Sequence, residues 1–167
     1  METSDEHLSC RHQRGRNLSV KTILLVEDSR FLRLMNERNL VRAGYSVVTA
    51  CDGEEALRLA FERVPDLILL DMLLPKLGGA QVLRSLRNNP TTDRVPIVVL
   101  SSLPQSNESK LKKEGATAYF DKSTLGLHQN AESLIQIVGK ILGEKAQACD
   151  AVGAKTSGDV APAKSEV

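Results

Sequence analysis

Aromatic side chains are scarce in this 167-residue chain, only 3% of it, and tryptophan is absent. Leu, Ile, Val and Ala must therefore build any core, and the stacking platform on which single-stranded nucleic acid is usually held has almost no material. Charge of one sign is lacking too. Lys and Arg number 22 against 21 Asp and Glu, a formal net charge of +1, so no global basic field exists to hold phosphate backbones, and a nucleic-acid partner is not expected. The three cysteines, Cys10, Cys51 and Cys149, are far apart and form no CxxC pair, which excludes a zinc ribbon or a disulfide framework. His7, Cys10 and His12 lie close in sequence, but no fourth ligand is near, and an accidental grouping is the simpler reading. No run approaches the ~20 apolar residues of a membrane span. The opening METSDEHL carries acids and no apolar stretch, so a secretory signal is not expected and the sequence reads as cytoplasmic, with no membrane partner.

What is present is a balance of 41% hydrophobic and 26% charged residues, which suits one globular domain. Composition divides the chain into a polar N-terminal extension over residues 1–20, a periodic region over 21–143, and a small, polar tail over 144–167. Within the middle region, short apolar runs alternate with helical patterns. The runs are Thr22–Val26, Ser46–Ala50, Asp66–Leu70, Pro96–Leu100 and Ala118–Phe120. Three of them are continuously apolar, as strands covered on both faces of a parallel sheet must be. Helices fit a segment capped by Ser29 and ended by Gly44, then Gly53–Arg63, Gly79–Asn88, Pro104–Glu114 and about His128–Leu142. The expected fold is α/β: a doubly wound (βα)5 sandwich, flavodoxin-like, with a five-stranded parallel sheet in the order 2-1-3-4-5. On the first helix, Leu32, Met35, Leu40 and Ala43 trace the expected buried face, with Asn36 and Asn39 discordantly beside it.

In such a sheet, ligands bind beyond the carboxyl ends of the strands. Those ends carry Glu27 and Asp28, then Asp71, then Ser101 and Ser102, then Lys122. Taken singly, an Asp after a strand is most simply a helix cap, Ser101 a loop residue, Lys122 a solvated charge and Tyr119 a half-buried strand residue. Their convergence on one sheet edge is a different matter. Three crowded carboxylates raise one another's pKa unless a cation neutralises them. A hard divalent ion does this with oxygen ligands, and Mg²⁺ leaves room for a phosphate oxygen that Lys122 can also meet.

ILLVEDS, DMLLPKLGG, VVLSS and AYFDKS together resemble the receiver domain of two-component response regulators, over about Lys21 to Leu142. No output domain is visible beyond it, so the resemblance is to the stand-alone type. It implies that Asp71 is the phosphoacceptor, taking a phosphoryl group from a sensor histidine kinase or a histidine phosphotransfer protein. It further implies that Mg²⁺ is held by Asp28, by Asp71, by the Leu73 carbonyl and, through water, by Glu27. Ser101 and Lys122 would bind phosphoryl oxygens, and Tyr119 would be the switch aromatic. Such a protein catalyses only its own phosphorylation and dephosphorylation and acts as a monomer or weak homodimer.

Several positions depart from the family pattern. Lys122 precedes Ser123 where the family usually has proline after a cis bond, and a non-proline cis bond costs ~3 kcal/mol, so a trans loop placing Lys122 differently is expected. Leu74–Gly79 replaces the frequent Met-Pro-x-Met-Asp-Gly loop, and Gly78 should loosen the next helix. Leu73 and Leu103, two residues past Asp71 and Ser101, offer nothing to orient water. The rival readings are a receiver-like module that binds proteins without phosphorylation, and a haloacid-dehalogenase-type phosphatase, which needs a second Asp where Leu73 stands. Nucleotide-binding glycine loops are absent, and Glu27 and Asp28 would repel FMN.

Overall fold

The computed structural model describes residues 20–102, 108–122 and 130–143. The two sequence extremes, Leu103, the start of the Pro104–Glu114 segment and the residues from Ser123 that follow Lys122 lie outside the described residues. Five strands alternate with five helices: β1 (Thr22–Val26), α1 (Arg30–Arg42), β2 (Ser46–Ala50), α2 (Gly53–Arg63), β3 (Leu67–Asp71), α3 (Gly79–Asn88), β4 (Ile97–Ser101), α4 (Glu108–Lys113), β5 (Ala118–Asp121) and α5 (Asn130–Leu142). The sheet is parallel throughout, in the order β2-β1-β3-β4-β5, as the sequence pattern predicts.

Every residue of β3 and β4 is buried, because a central parallel strand has helices over both faces. Alternation along the strands sorts their side chains into two cores. Leu24, Val26, Ile68, Leu70, Ile97 and Val99 pack with residues of α2, α3 and α4. Ile23, Leu25, Leu67, Leu69, Val98 and Leu100 pack with Leu40 of α1 and with Leu134 and Val138 of α5. The apolar stripe of α5 thus covers the sheet, with Ile137 and Ile141 partly buried at its border. Leu111, the lone large apolar residue of α4, is buried.

Three local readings need correction. The strands expected to end at Leu70, Leu100 and Phe120 each run one residue further, because Asp71 pairs with Leu100 and Ser101 with Asp121 in the ladder. Asp66, expected to open the third strand, instead lies before it and ties down β1, accepting from the Lys21 ammonium and the Thr22 amide, both at 2.8 Å. On α1 only Leu40 is fully buried, while Leu32, Met35, Asn36 and Asn39 are all partly exposed and Phe31, Leu34 and Val41 lie in solvent. That helix is apolar on both sides, which is why its periodicity misled.

The caps follow the sequence closely. The Ser29 hydroxyl accepts from the Leu32 amide, and Gly44 ends α1 with φ +94°, a backbone shape that L side chains resist. The Asp52 carboxylate accepts from the Glu55 amide at 2.9 Å and starts α2. At α3 the Gln81 side chain accepts from the Gly78 amide at 3.3 Å, so a side chain of the helix itself holds the start that Gly78 was expected to loosen. No helix among the described residues is long and apolar enough to cross a membrane.

Candidate phosphoacceptor site

Each candidate side chain sits where a strand runs out of partners. After Val26 the chain still gives the Glu27 amide to the Ala50 carbonyl at 3.1 Å, then turns into α1. This turn buries Glu27, 1% exposed, and leaves Asp28 facing solvent. The last residue of β3 is Asp71, 4% exposed, and that of β4 is Ser101, fully buried. Lys122 follows β5, and its amide donates to the Ser101 carbonyl at 2.8 Å, which fixes the fifth strand's end to the fourth.

The Lys122 ammonium lies 2.6 Å from Glu27 Oε2 and 2.7 Å from Asp71 Oδ2. The substitution of serine for proline at 123 therefore does not displace Lys122 from the site. Asp71 Oδ1 accepts from the Leu73 amide at 3.1 Å, so both carboxylate oxygens have donors. Glu27 Oε1 accepts from the Ser29 amide at 3.4 Å. Burial pushes the Glu27 carboxyl above its ordinary 4.5, and the pairing with Lys122 offsets this only in part. For Lys122 burial acts downward, but the hydrogen bonds it donates to Asp71 and Glu27 outweigh it and hold the ammonium above its ordinary value.

Glu27, Asp28 and Asp71 bring one carboxylate oxygen each within 4.8 Å of one another. An all-oxygen anionic donor set of this span suits a hard divalent cation such as Mg²⁺ or Mn²⁺, and offers nothing to a thiophilic metal. Tyr119 lies on β5 beside Val99 and is partly buried against the core face that carries α2, α3 and α4.

The family model for the response regulator receiver domain matches residues 23–138. The chain belongs to the receiver domain family of response regulators. Among relatives of this receiver, the alkaline phosphatase synthesis transcriptional regulatory protein PhoP of Bacillus subtilis is 42% identical over 103 residues, which are 61% of this chain and 42% of that protein. The polar-differentiation response regulator DivK of Brucella anthropi is 33% identical over 104 residues, 61% of this chain and 84% of DivK. This receiver thus spans less than half the length of PhoP and most of the length of DivK. A crystal structure of the receiver domain of the sensor histidine kinase PA1611 from Pseudomonas aeruginosa, with magnesium coordinated in its active site cleft, superposes with a TM-score of 0.65. It shares 30% identity and covers 75% of this chain and all of that one.

Several residues around the site were not legible from the receiver motifs. Arg33, on the first turn of α1, donates from Nη1 to the Glu27 carbonyl at 2.7 Å and the Asp28 carbonyl at 3.2 Å. Its signal was a cation at a helix start with no acid in the first turn, against the helix dipole. Lys76, in the loop after Asp71, takes a left-handed φ of +61° and pairs with buried Asp52 at 2.6 Å. That pair ties the loop after Asp71 to the start of α2. Arg87 of α3 donates to the carbonyls of Gly115, Thr92, Asp93 and Val95 at 2.8–3.3 Å.

Proposed function

We propose that this receiver is a phosphorylation-switched signalling protein that accepts a phosphoryl group on Asp71 from the phosphohistidine of a sensor histidine kinase or a histidine phosphotransfer protein. The observation that carries the reading is the meeting of the Asp71, Glu27 and Asp28 carboxylates with the Lys122 ammonium at one sheet edge. In the proposed reaction an Asp71 oxygen attacks phosphorus in line, a P–O bond forms, and the P–N bond to the donor imidazole breaks. The imidazole leaves with a proton. Asp28, Asp71, the Leu73 carbonyl and, through water, Glu27 would hold Mg²⁺, which when bound neutralises the carboxylates and the incoming phosphoryl oxygens. Lys122, already 2.7 Å from Asp71, would turn its charge to the new phosphoryl group, and Ser101 would donate its hydroxyl to another oxygen. The gain is positioning and charge neutralisation, the main resources of phosphoryl transfer.

Output would follow from Ser101 moving toward the phosphoryl group and Tyr119 turning into the space that it leaves. That exchange would shift the α4–β5–α5 surface between two populations with a coupling of ~1–3 kcal/mol and would signal by protein–protein contact. The test is intact-mass measurement after incubation with a small phosphodonor and Mg²⁺. Wild type should gain one phosphoryl mass, and Asp71→Asn should gain none. A phosphoryl gain by the variant, or by wild type in excess chelator, would overturn the assignment.

A further inference from the structure

The turn that carries the acid pair is held by few bonds of its own. The Glu27 amide is taken by β2 and the Ser29 amide reaches Glu27 Oε1 only at 3.4 Å. The carbonyls of Glu27 and Asp28 leave the sheet ladder here, and one guanidinium nitrogen of Arg33 takes both, at 2.7 and 3.2 Å. A carbonyl's direction fixes the peptide plane that follows it. Holding the Glu27 and Asp28 carbonyls therefore fixes the planes on either side of Asp28, and with them the direction in which its carboxylate leaves the chain. Asp28 needs such help. It is exposed, and it lies beyond the strand pairing, which holds Asp71.

We infer that Arg33 is a positioning residue for the cation site, orienting Asp28 and Glu27 through their backbone carbonyls. This rests on the reading of Glu27, Asp28 and Asp71 as a divalent-cation site. The sign of its effect separates positioning from simple charge. By charge alone a guanidinium beside a cation site repels the cation, so neutralising it should tighten binding. By positioning, its loss should weaken binding, roughly tenfold or more as for other groups that orient metal ligands.

Free Mn²⁺ measured by electron paramagnetic resonance, titrated into the full chain, decides between them. The expected results are saturable binding by wild type, near-complete loss in Asp28→Asn, and roughly tenfold weaker binding in Arg33→Gln. Arg33→Lys keeps the charge but lacks the planar fork, so its affinity should fall between wild type and Arg33→Gln. Unchanged or tighter binding by Arg33→Gln, with Asp28→Asn still defective, overturns the role of Arg33 and leaves the cation site standing. If wild type does not saturate, or Asp28→Asn matches it, the cation site itself fails and the inference falls with it. Thermal melts in chelator show whether each variant folds. Should Arg33→Gln fail to fold, Arg33→Lys decides alone, and a match to wild type overturns the inference.

Discussion

Lys122→Met isolates the electrostatics of the site. The ammonium sits between two carboxylates that are 1% and 4% exposed. Without it, their oxygens face each other within 4.8 Å, a repulsion of about 3.5 kcal/mol at an effective dielectric of ~20. One escape is to protonate Glu27. From the ordinary value of 4.5, that costs about 3.4 kcal/mol at pH 7, since each pH unit is worth 1.36 kcal/mol. Burial already raises the Glu27 carboxyl, so the escape is somewhat cheaper and sets the ceiling. The expected loss of stability in chelator is therefore ~2–3 kcal/mol at pH 7. The sign of the pH dependence follows. A carboxyl raised in the folded state binds more protons folded than unfolded, so the variant loses stability as pH rises from about 4.5 through the raised folded value. At pH 5 protonating Glu27 costs under ~1 kcal/mol, and the gap to wild type should shrink accordingly. Urea unfolding of both proteins at pH 5 and pH 7 measures this. A gap that is the same or larger at pH 5 would mean that repulsion between Glu27 and Asp71 is not what destabilises the variant. Added Mg²⁺ should stabilise both proteins by mass action and the variant more, because it supplies the missing positive charge.

Other perturbations read different parts of the same structure. Arg87→Met withdraws donors from four carbonyls that join α3 to the approach to β4 and to Gly115, and should cost ~2–4 kcal/mol in urea unfolding; a loss within error of zero would mean that water replaces the guanidinium freely. Gly53→Ala places a Cβ against the Leu77 carbonyl oxygen and 2.8 Å from both Leu77 Cβ and Val82 Cγ2. It should destabilise by ~1–3 kcal/mol and disturb the loop after Asp71, seen as faster amide exchange at residues 72–78. Leu73 is 57% exposed beside Asp71 and carries no group to orient water. Leu73→Gln should shorten the acyl-phosphate lifetime measured by intact mass after donor removal, and an unchanged lifetime would remove Leu73 from the account.

The sheet and the edge that carries the candidate site were legible in the sequence because a parallel sheet leaves two plain marks. Central strands buried on both faces must be apolar runs, so Thr22–Val26 and the segments ending at Leu70 and Leu100 stand out. Side chains beyond their carboxyl ends share one edge whatever their separation in sequence, so Glu27, Asp28, Asp71, Ser101 and Lys122 could be assembled before any coordinates. Helix faces leave a weaker mark. On α1, Phe31, Leu34 and Val41 are as apolar as the buried Leu40, and only packing against β2, β1 and α5 decides which of them is covered. What the tertiary structure alone decided concerns cations that bond to the backbone. Lys122 could be placed by its strand, but nothing in the sequence marks the Glu27 and Asp28 carbonyls as the partners of Arg33, or carbonyls from two separate segments as the partners of Arg87. Every residue carries a carbonyl, so the partner's identity is silent in the sequence, and only the folded path of the chain determines which carbonyls turn toward the guanidinium.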